Sequence, residues 1–143
     1  MHRLVCGHDA EVAAWVASRI PHVGEAGFGP CAAIGVASDD RLLAGVVYHD
    51  WQAAHGTVQL SMAAATPMWA RRENIAGLLH YPFRQLGAFK AWTCIPADNV
   101  PALKVNAHVG FRREAILAHH FGRKRHAVIM RLLLPEYLRQ YGA

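Results

Sequence analysis

The sequence predicts a mixed α/β (α+β) fold, in which a mostly antiparallel central sheet of about six to seven strands carries helices on both faces. Two observations predict this class. Stretches with amphipathic helical spacing alternate with apolar runs of strand length, and three such runs follow one another with no helix between them. The chain has 143 residues, and 53% of them are hydrophobic. We therefore expect residues 1–143 to form one domain with its own core.

The first predicted element is a helix that Asp9 can cap and that Pro21 ends. Its apolar face consists of Val12, Trp15, Val16 and Ile20. Residues 22–30 contain three glycines and show no periodicity, which predicts a loop or a poorly formed second helix.

Three apolar runs predict consecutive strands at residues 31–37, 42–48 and 57–64. Good turn residues at 38–41 join the first two runs, and a polar connection at 49–56 joins the last two. Short connections of this kind predict an antiparallel meander.

A helical stripe begins at Asn74 and ends at Gly87, and Pro82 should bend or break its last turn. The stripe consists of Ile75, Leu78, Leu79, Phe83 and Leu86. The other predicted elements of this half are a strand at 89–95, a helix from about Val100 that Asp98 or Asn99 caps and Gly110 stops, strands at 115–121 and 127–133, and a short terminal segment at 136–141.

Charge is distributed unevenly along the chain. Residues 1–70 carry three basic and six acidic side chains, whereas residues 71–143 carry twelve basic and four acidic ones. The net charges of the two parts, −3 and +8, add to the +5 of the whole chain. A basic C-terminal half favours an anionic partner, and a nucleic acid, a polyphosphate cofactor and a merely solvated basic face are all consistent with it.

No apolar run approaches the roughly 18 residues that span a bilayer, and no signal peptide precedes Asp9, so we expect a soluble, cytoplasmic protein with no membrane contact. Three scattered cysteines predict neither a disulfide framework nor a zinc site. The densest histidine group is His119, His120 and His126. Neighbouring strand residues point to opposite faces, so we expect no metal site there.

The most specific motif is residues 99–114, NVPALKVNAHVGFRRE. It resembles the signature of the GNAT acetyltransferases, closest to the ribosomal-protein N-terminal acetyltransferase branch and to short phage-type members. The upstream stretch 69–87 looks like a helix of the same branch, and the resemblance covers roughly residues 42–134. It implies an N-acetyltransferase that moves acetyl from acetyl-CoA to a primary amine by direct attack in a ternary complex.

The resemblance also implies where CoA binds. Family members usually hold the pyrophosphate on a glycine-rich loop before a helix, and the nearest match is residues 71–76, where Asn74 replaces the central glycine. Backbone groups of the third strand of the meander would meet the pantetheine arm. The candidate CoA-binding residues are Met62, Ala63, Ala64, Arg71, Arg72, Glu73, Asn74, Ile75, Ala76, Asn99 and Ala102.

Many family members protonate the departing thiolate with a tyrosine seven residues after the first motif asparagine. Asn106 occupies that position here, so an amide would hydrogen-bond the sulfur instead. An amine acceptor must lose a proton before it attacks. The candidate bases are Asp50 and Glu114, with His49, His119 and His120 as further candidates.

Two alternatives stay open. In the first, a basic stripe binds a nucleic acid, either in a protein that only binds it or in a GNAT-like enzyme that modifies it. The stripe consists of Arg112, Arg113, Arg123, Lys124, Arg125 and Arg131. The chain could also bind CoA without turnover, because the loop glycine and the tyrosine are both missing. The amine acceptor is open among a protein N-terminus, a lysine and a small amine, and a homodimer is one alternative for the oligomeric state.

Overall fold

The computed structural model describes residues 1–142, and within them seven strands form one sheet. The strands are β1 (His2–Val5), β2 (Cys31–Ser38), β3 (Arg41–Gln52), β4 (Thr57–Ala64), β5 (Lys90–Pro96), β6 (Arg112–Leu117) and β7 (Ala127–Leu133). Their spatial order is β1-β2-β3-β4-β5-β7-β6, and every neighbouring pair is antiparallel except β4 and β5. The mixed fold with a mostly antiparallel sheet is therefore confirmed.

Four helices cover the two faces of this sheet: α1 (Asp9–Ala17), α2 (Arg72–His80), α3 (Val100–Val109) and α4 (Leu134–Tyr141). On one face, Val12 and Val16 of α1 pack against Ala33 and Val47. Gly45 allows this close approach, because a Cβ atom there would lie 2.7 Å from a methyl carbon of Val16.

The larger core lies on the other face, where apolar residues of α2, α3 and α4 pack against the sheet. Pro82 lies in a π-helical turn, Tyr81–Leu86, that extends α2, which confirms the predicted distortion. Gly87 ends this turn in the left-handed conformation, with φ of 78°. No helix within residues 1–142 is both long and apolar enough to cross a bilayer.

The feature that positions the site is the divergence of β4 from β5. The two strands pair only from Thr57 with Lys90 to Gln59 with Trp92. Beyond that point β4 stays paired with β3, and β5 with β7. The remaining halves of β4 and β5 therefore border an open gap in the middle of the sheet.

Several predicted boundaries are wrong at the start of the chain. The sequence pattern missed β1, a four-residue edge strand. Asp9 does not cap α1 but is its first residue, and its carboxylate accepts a hydrogen bond from the Ala33 amide at 3.1 Å. The helix ends at Ala17, so Ile20 lies outside it, because a residue before proline disfavours helical angles.

Three other boundaries also differ. β3 continues through the polar residues to Gln52 instead of ending at residue 48. β6 begins at Arg112, not at residue 115, and residues 118–121 form turns. All six β6 residues are exposed, so burial pattern could not mark this edge strand. The terminal segment is a full helix, α4, which begins at Leu134.

Candidate active site

Two adjoining spaces meet at the gap between β4 and β5. A cleft of about 500 Å³ opens beside α3 and is lined by residues that include Met62, Ala63, Ala64, Asn99, Ala102 and Asn106. A cavity of about 290 Å³ is lined by residues of both bordering strands, Ser61 of β4 and Cys94 of β5. His22 lines both spaces, so the cleft and the cavity adjoin at this residue.

The backbone of β4 offers free hydrogen-bonding groups to this gap. The Ala65 amide donates to the Leu43 carbonyl at 2.8 Å. Hydrogen-bonded pairs recur at every second residue of an antiparallel ladder, so Ala63 and Ser61 also bond to β3. The N–H groups of Leu60, Met62 and Ala64 then point away from β3. The parallel pairing of Gln59 with Trp92 uses the Leu60 N–H, so the N–H groups of Met62 and Ala64 are the ones that the described part of β5 leaves unpaired.

The N-terminus of α2 follows β4 after a short 3-10 turn, Pro67–Trp69. The first hydrogen bond within α2 is donated by the Ile75 amide to the Arg71 carbonyl, so the amides of residues 72–74 precede it. The partial positive charge of a helix N-terminus favours an anion. Arg71 is exposed at this end and is available to a phosphate.

The other residues of the predicted loop are placed differently. The guanidinium of Arg72 donates to the Gln140 carbonyl and stacks 4.9 Å from the Tyr141 ring, so it anchors α4. The buried Asn74 donates from its side-chain amide to the Trp69 carbonyl at 2.8 Å, which holds the loop in shape. Glu73 is exposed, whereas Ile75 is buried and Ala76 half-buried within α2.

Two asparagines border the cleft on α3. The side chain of Asn99 accepts a hydrogen bond from the Ala102 amide at 3.3 Å, so Asn99 caps the helix as predicted. Asn106 is buried, accepts a hydrogen bond from the Thr93 hydroxyl at 2.9 Å and donates to the Ala102 carbonyl at 2.9 Å. Both polar atoms of its amide are therefore already engaged, and the bond to Thr93 ties α3 to β5.

Three side chains on the cavity side form a hydrogen-bonded chain. His49 Nδ1 lies 2.9 Å from Asp50 Oδ2, and His49 Nε2 lies 2.8 Å from Ser61 Oγ. An ionised carboxylate can only accept, so the His49 Nδ1–H donates to Asp50. His49 Nε2 is then unprotonated and accepts the Ser61 hydroxyl hydrogen, which is the tautomer of a base.

The electrostatic environment of His49 favours its neutral form. Only 8% of its side chain is exposed. Desolvation by burial lowers the pKa of His49, and the hydrogen bond and charge of Asp50 only partly offset this effect. His49 is therefore mostly neutral at pH 7 and able to accept a proton.

The local backbone explains how two successive strand residues can meet. Adjacent side chains of a strand normally point to opposite faces. Here the β3–β4 register shifts between His49 and Gln52, and Asp50 adopts a positive φ of 53°. This bulge turns the Asp50 carboxylate back towards the His49 ring. Bulges of this kind are common beside active sites, where they re-aim a side chain.

Glu114 is not brought to this group. It lies on β6, separated from the gap by β7, and its carboxylate accepts hydrogen bonds from Lys90 Nζ at 2.9 and 3.0 Å. Of the two further histidine candidates, His120 lines the cavity. His119 accepts a hydrogen bond from the Lys124 amide at 2.7 Å.

The structure also places the metal and nucleic-acid candidates. Residues 1–142 contain no group of three or more His, Cys, Asp or Glu side chains that could hold a metal ion. Several members of the basic stripe are ion-paired: Arg112 and Arg131 with Glu136 at 3.4 and 3.5 Å, and Arg125 with Asp98 at 3.3 Å.

Ser61 is the member of the site that sequence reasoning missed. It lies in an apolar strand, and nothing in the spacing of residues 49 and 61 relates them. Only the pairing register, with His49 opposite Gln59, puts His49 and Ser61 on the same face of neighbouring strands.

Neither a protein-family model nor a curated protein sequence matches the chain. Solved structures do. Mutant forms of the spermidine/spermine N-acetyltransferase SpeG from Vibrio cholerae match 98% of this chain and 99% of that chain, with a TM-score of 0.76 and 16% identity. A dodecameric spermidine N-acetyltransferase from the same organism matches 97% of each chain, with a TM-score of 0.76 and 16% identity.

A probable acetyltransferase also matches, over 76% of this chain and 64% of that chain, with a TM-score of 0.62 and 18% identity. These matches confirm that the chain has the fold of the GNAT acetyltransferases, as the motif at residues 99–114 predicted. The ribosomal-protein branch of that superfamily stays a prediction.

Proposed function

We propose that the protein is an N-acyltransferase, which moves an acetyl group from acetyl-CoA to an amine by direct attack in a ternary complex. The observation that carries this proposal is the gap between β4 and β5, which has a cleft at one side and a cavity lined by His49 at the other. A donor and an acceptor could thus approach the same point from opposite sides.

The residues present on the cleft side fit acetyl-CoA as the donor substrate. The free N–H groups of Met62 and Ala64 can hydrogen-bond the pantetheine arm and the thioester carbonyl, where negative charge develops during the reaction. The amides of residues 72–74 and the Arg71 guanidinium would hold the pyrophosphate. Asn99 and Ala102 line the cleft beside the arm.

On the cavity side, the chain of Asp50, His49 and Ser61 would deprotonate the amine. The Ser61 hydroxyl can accept a proton from the amine while it passes its own proton to His49 Nε2. Asp50 orients the imidazole and stabilises its protonated form. Asp50 thus has an indirect role in proton transfer. Asn106, whose amide is already hydrogen-bonded to Thr93 and Ala102, has a structural role beside the cleft.

A thiol-release assay tests the proposal. We expect acetyl-CoA and one member of an amine panel to release CoA and give an N-acetyl product detectable by mass spectrometry. The panel includes spermidine, because SpeG acts on it, together with lysine and N-terminal peptides.

The matched control uses two histidines near the same end of β3. We expect His49→Ala to lower the rate at saturating amine by about a hundredfold or more, the usual contribution of a general base. His55→Ala alters an exposed residue of the β3–β4 turn and should leave the rate unchanged. Equal rates in the two variants would remove His49 from the mechanism.

A further inference from the structure

The arrangement of Asp50, His49 and Ser61 has the connectivity of a nucleophilic triad. Serine alone is a weak nucleophile at neutral pH, and it becomes a strong one when a neutral imidazole takes its proton as it attacks. The distances of 2.8 Å from Ser61 Oγ to His49 Nε2 and 2.9 Å from His49 Nδ1 to Asp50 Oδ2 satisfy that requirement.

The location of Ser61 makes the hydroxyl relevant to the thioester. Ser61 lies on β4 in the part that borders the gap, and the cavity that it lines reaches across to Cys94 of β5. The next residue, Met62, carries a free N–H group that points into the gap, whereas the pairing of Gln59 with Trp92 uses the N–H of Leu60. A backbone donor of this kind beside a nucleophile can stabilise the oxyanion of a tetrahedral intermediate.

Cys94 is the other nucleophilic side chain in this cavity, and it is the weaker candidate. Burial raises the pKa of the Cys94 thiol, so the reactive thiolate is scarce at neutral pH. No hydrogen bond links the sulfur to a base within residues 1–142. Ser61, by contrast, is hydrogen-bonded to a base, His49.

Resting on the proposed acyl-CoA site, we propose a second activity: when no amine occupies the cavity, Ser61 takes the acyl group itself and the protein hydrolyses acyl-CoA through an acyl-serine. The bond between Ser61 Oγ and the acyl carbon forms as the carbon–sulfur bond of the thioester breaks. The hydroxyl proton passes to His49 Nε2 and then to the leaving thiolate, which departs as the thiol.

Water completes the cycle. It attacks the serine ester and gives a proton to His49, and His49 returns this proton to Ser61 Oγ as the carboxylic acid leaves. The net reaction consumes one acyl-CoA and one water and needs no oxidant, reductant or metal. When an amine is present, it lies between Ser61 and the thioester, and Ser61 then only relays its proton.

In the test, the protein is incubated with acetyl-CoA and no amine. Thiol release is followed over time, and the intact mass of the acid-quenched protein is recorded. We expect either a gain of one acetyl group that peptide mapping assigns to Ser61, or continuous thiol release that depends on Ser61. Ser61→Ala should abolish both signals, and Ser61→Cys should restore an acetyl adduct at the same position. Ser38→Ala, at the distant β2–β3 hairpin, is the matched control and should behave as the unaltered protein.

The outcomes separate this inference from the proposed function. If the protein acetylates an amine but shows neither adduct nor release without one, the second activity is refuted and the transferase stands. An adduct that maps to Cys94, or amine-free release unchanged in Ser61→Ala, also refutes it. If acetyl-CoA does not bind at all in a separate calorimetric titration, both proposals fall together.

Discussion

Asp50 adopts a backbone conformation that L side chains rarely take, with φ of 53°, and the candidate site depends on it. The residue is the first of the bulge in β3, and its carboxylate reaches the imidazole of the residue before it. Such strain persists where the surrounding structure holds it in place, and it concentrates at functional sites. The His49 tautomer follows from this one contact.

The pH dependence of transfer should report the lowered pKa of His49. A base must be unprotonated, so the rate at saturating amine should fall on the acid side only below the ordinary histidine value of about 6.5. Asp50→Asn removes a partner that raises this pKa, so its acid limb should move to still lower pH while its maximal rate falls. A pH–rate profile of both proteins checks the sign, and an Asp50→Asn limb that moves to higher pH would contradict the account.

Arg71 and Arg72 are neighbours in sequence with different contacts, so their variants should differ. Arg71→Ala should weaken the binding of acetyl-CoA about tenfold to a hundredfold, because it removes one charged hydrogen bond of roughly 1.5–3 kcal/mol. Arg72→Ala should instead lower Tm by a few degrees, because it releases the Gln140 carbonyl and the Tyr141 ring. Calorimetry and thermal unfolding measure the two effects, with exposed Arg41→Ala as control. The reverse assignment of effects would show that Arg72 is the phosphate ligand.

The second half of β4 and that of β5 are the elements on which the site depends, because they diverge after three paired positions. Helix α3 holds β5 in place on the cleft side through the Thr93–Asn106 hydrogen bond. This contact crosses between two elements inside the core, so its loss should change stability before it changes chemistry.

A double-mutant cycle tests that contact. Asn106→Ala should destabilise the fold by roughly 1–3 kcal/mol, because it leaves the buried Thr93 hydroxyl without its acceptor. Adding Thr93→Val should cost less than the sum of the single variants. Denaturant unfolding gives the free energies. Fully additive costs would show that the Thr93–Asn106 contact does not stabilise the fold, and a thousandfold loss of activity in a folded Asn106→Ala protein would assign Asn106 a chemical role instead.

The sequence predicted the interior elements better than the edges. Strands β2, β4 and β7 and the cap of α3 could be read from apolar runs and from Asn99, because burial imposes a pattern on residues. The edge strands β1 and β6 carry little or no such pattern, since most or all of their residues contact solvent. Edge pairing is decided by partners that are distant in the chain.

The candidate site shows the same limit. The motif predicted the cleft residues Asn99, Ala102 and Asn106, and loop position suggested His49 and Asp50 as bases. Ser61 could not be predicted, because its relation to His49 depends on strand register and on a bulge that no local residue pattern announces. Likewise, only the packing of α4 shows that the Arg72 guanidinium is hydrogen-bonded to the Gln140 carbonyl.

Across the whole chain, the basic C-terminal half begins with Arg71 and Arg72 at the end of α2 that is proposed to hold phosphates. Several residues of the basic stripe are used in ion pairs with Glu136 and Asp98. This distribution favours a compact polyphosphate ligand at one site over a nucleic acid along an extended face.

The most direct test of this account is an isothermal titration of the protein with acetyl-CoA. The account predicts one site per chain, and a melting temperature that rises with ligand concentration as the bound state is stabilised, by about 2.7 kcal/mol at a hundredfold excess over Kd. Arg71→Ala should lower the affinity for acetyl-CoA in this titration, and Arg41→Ala, which alters an exposed residue, should not. The absence of both heat and a melting shift at millimolar acetyl-CoA, in a folded protein, would contradict it.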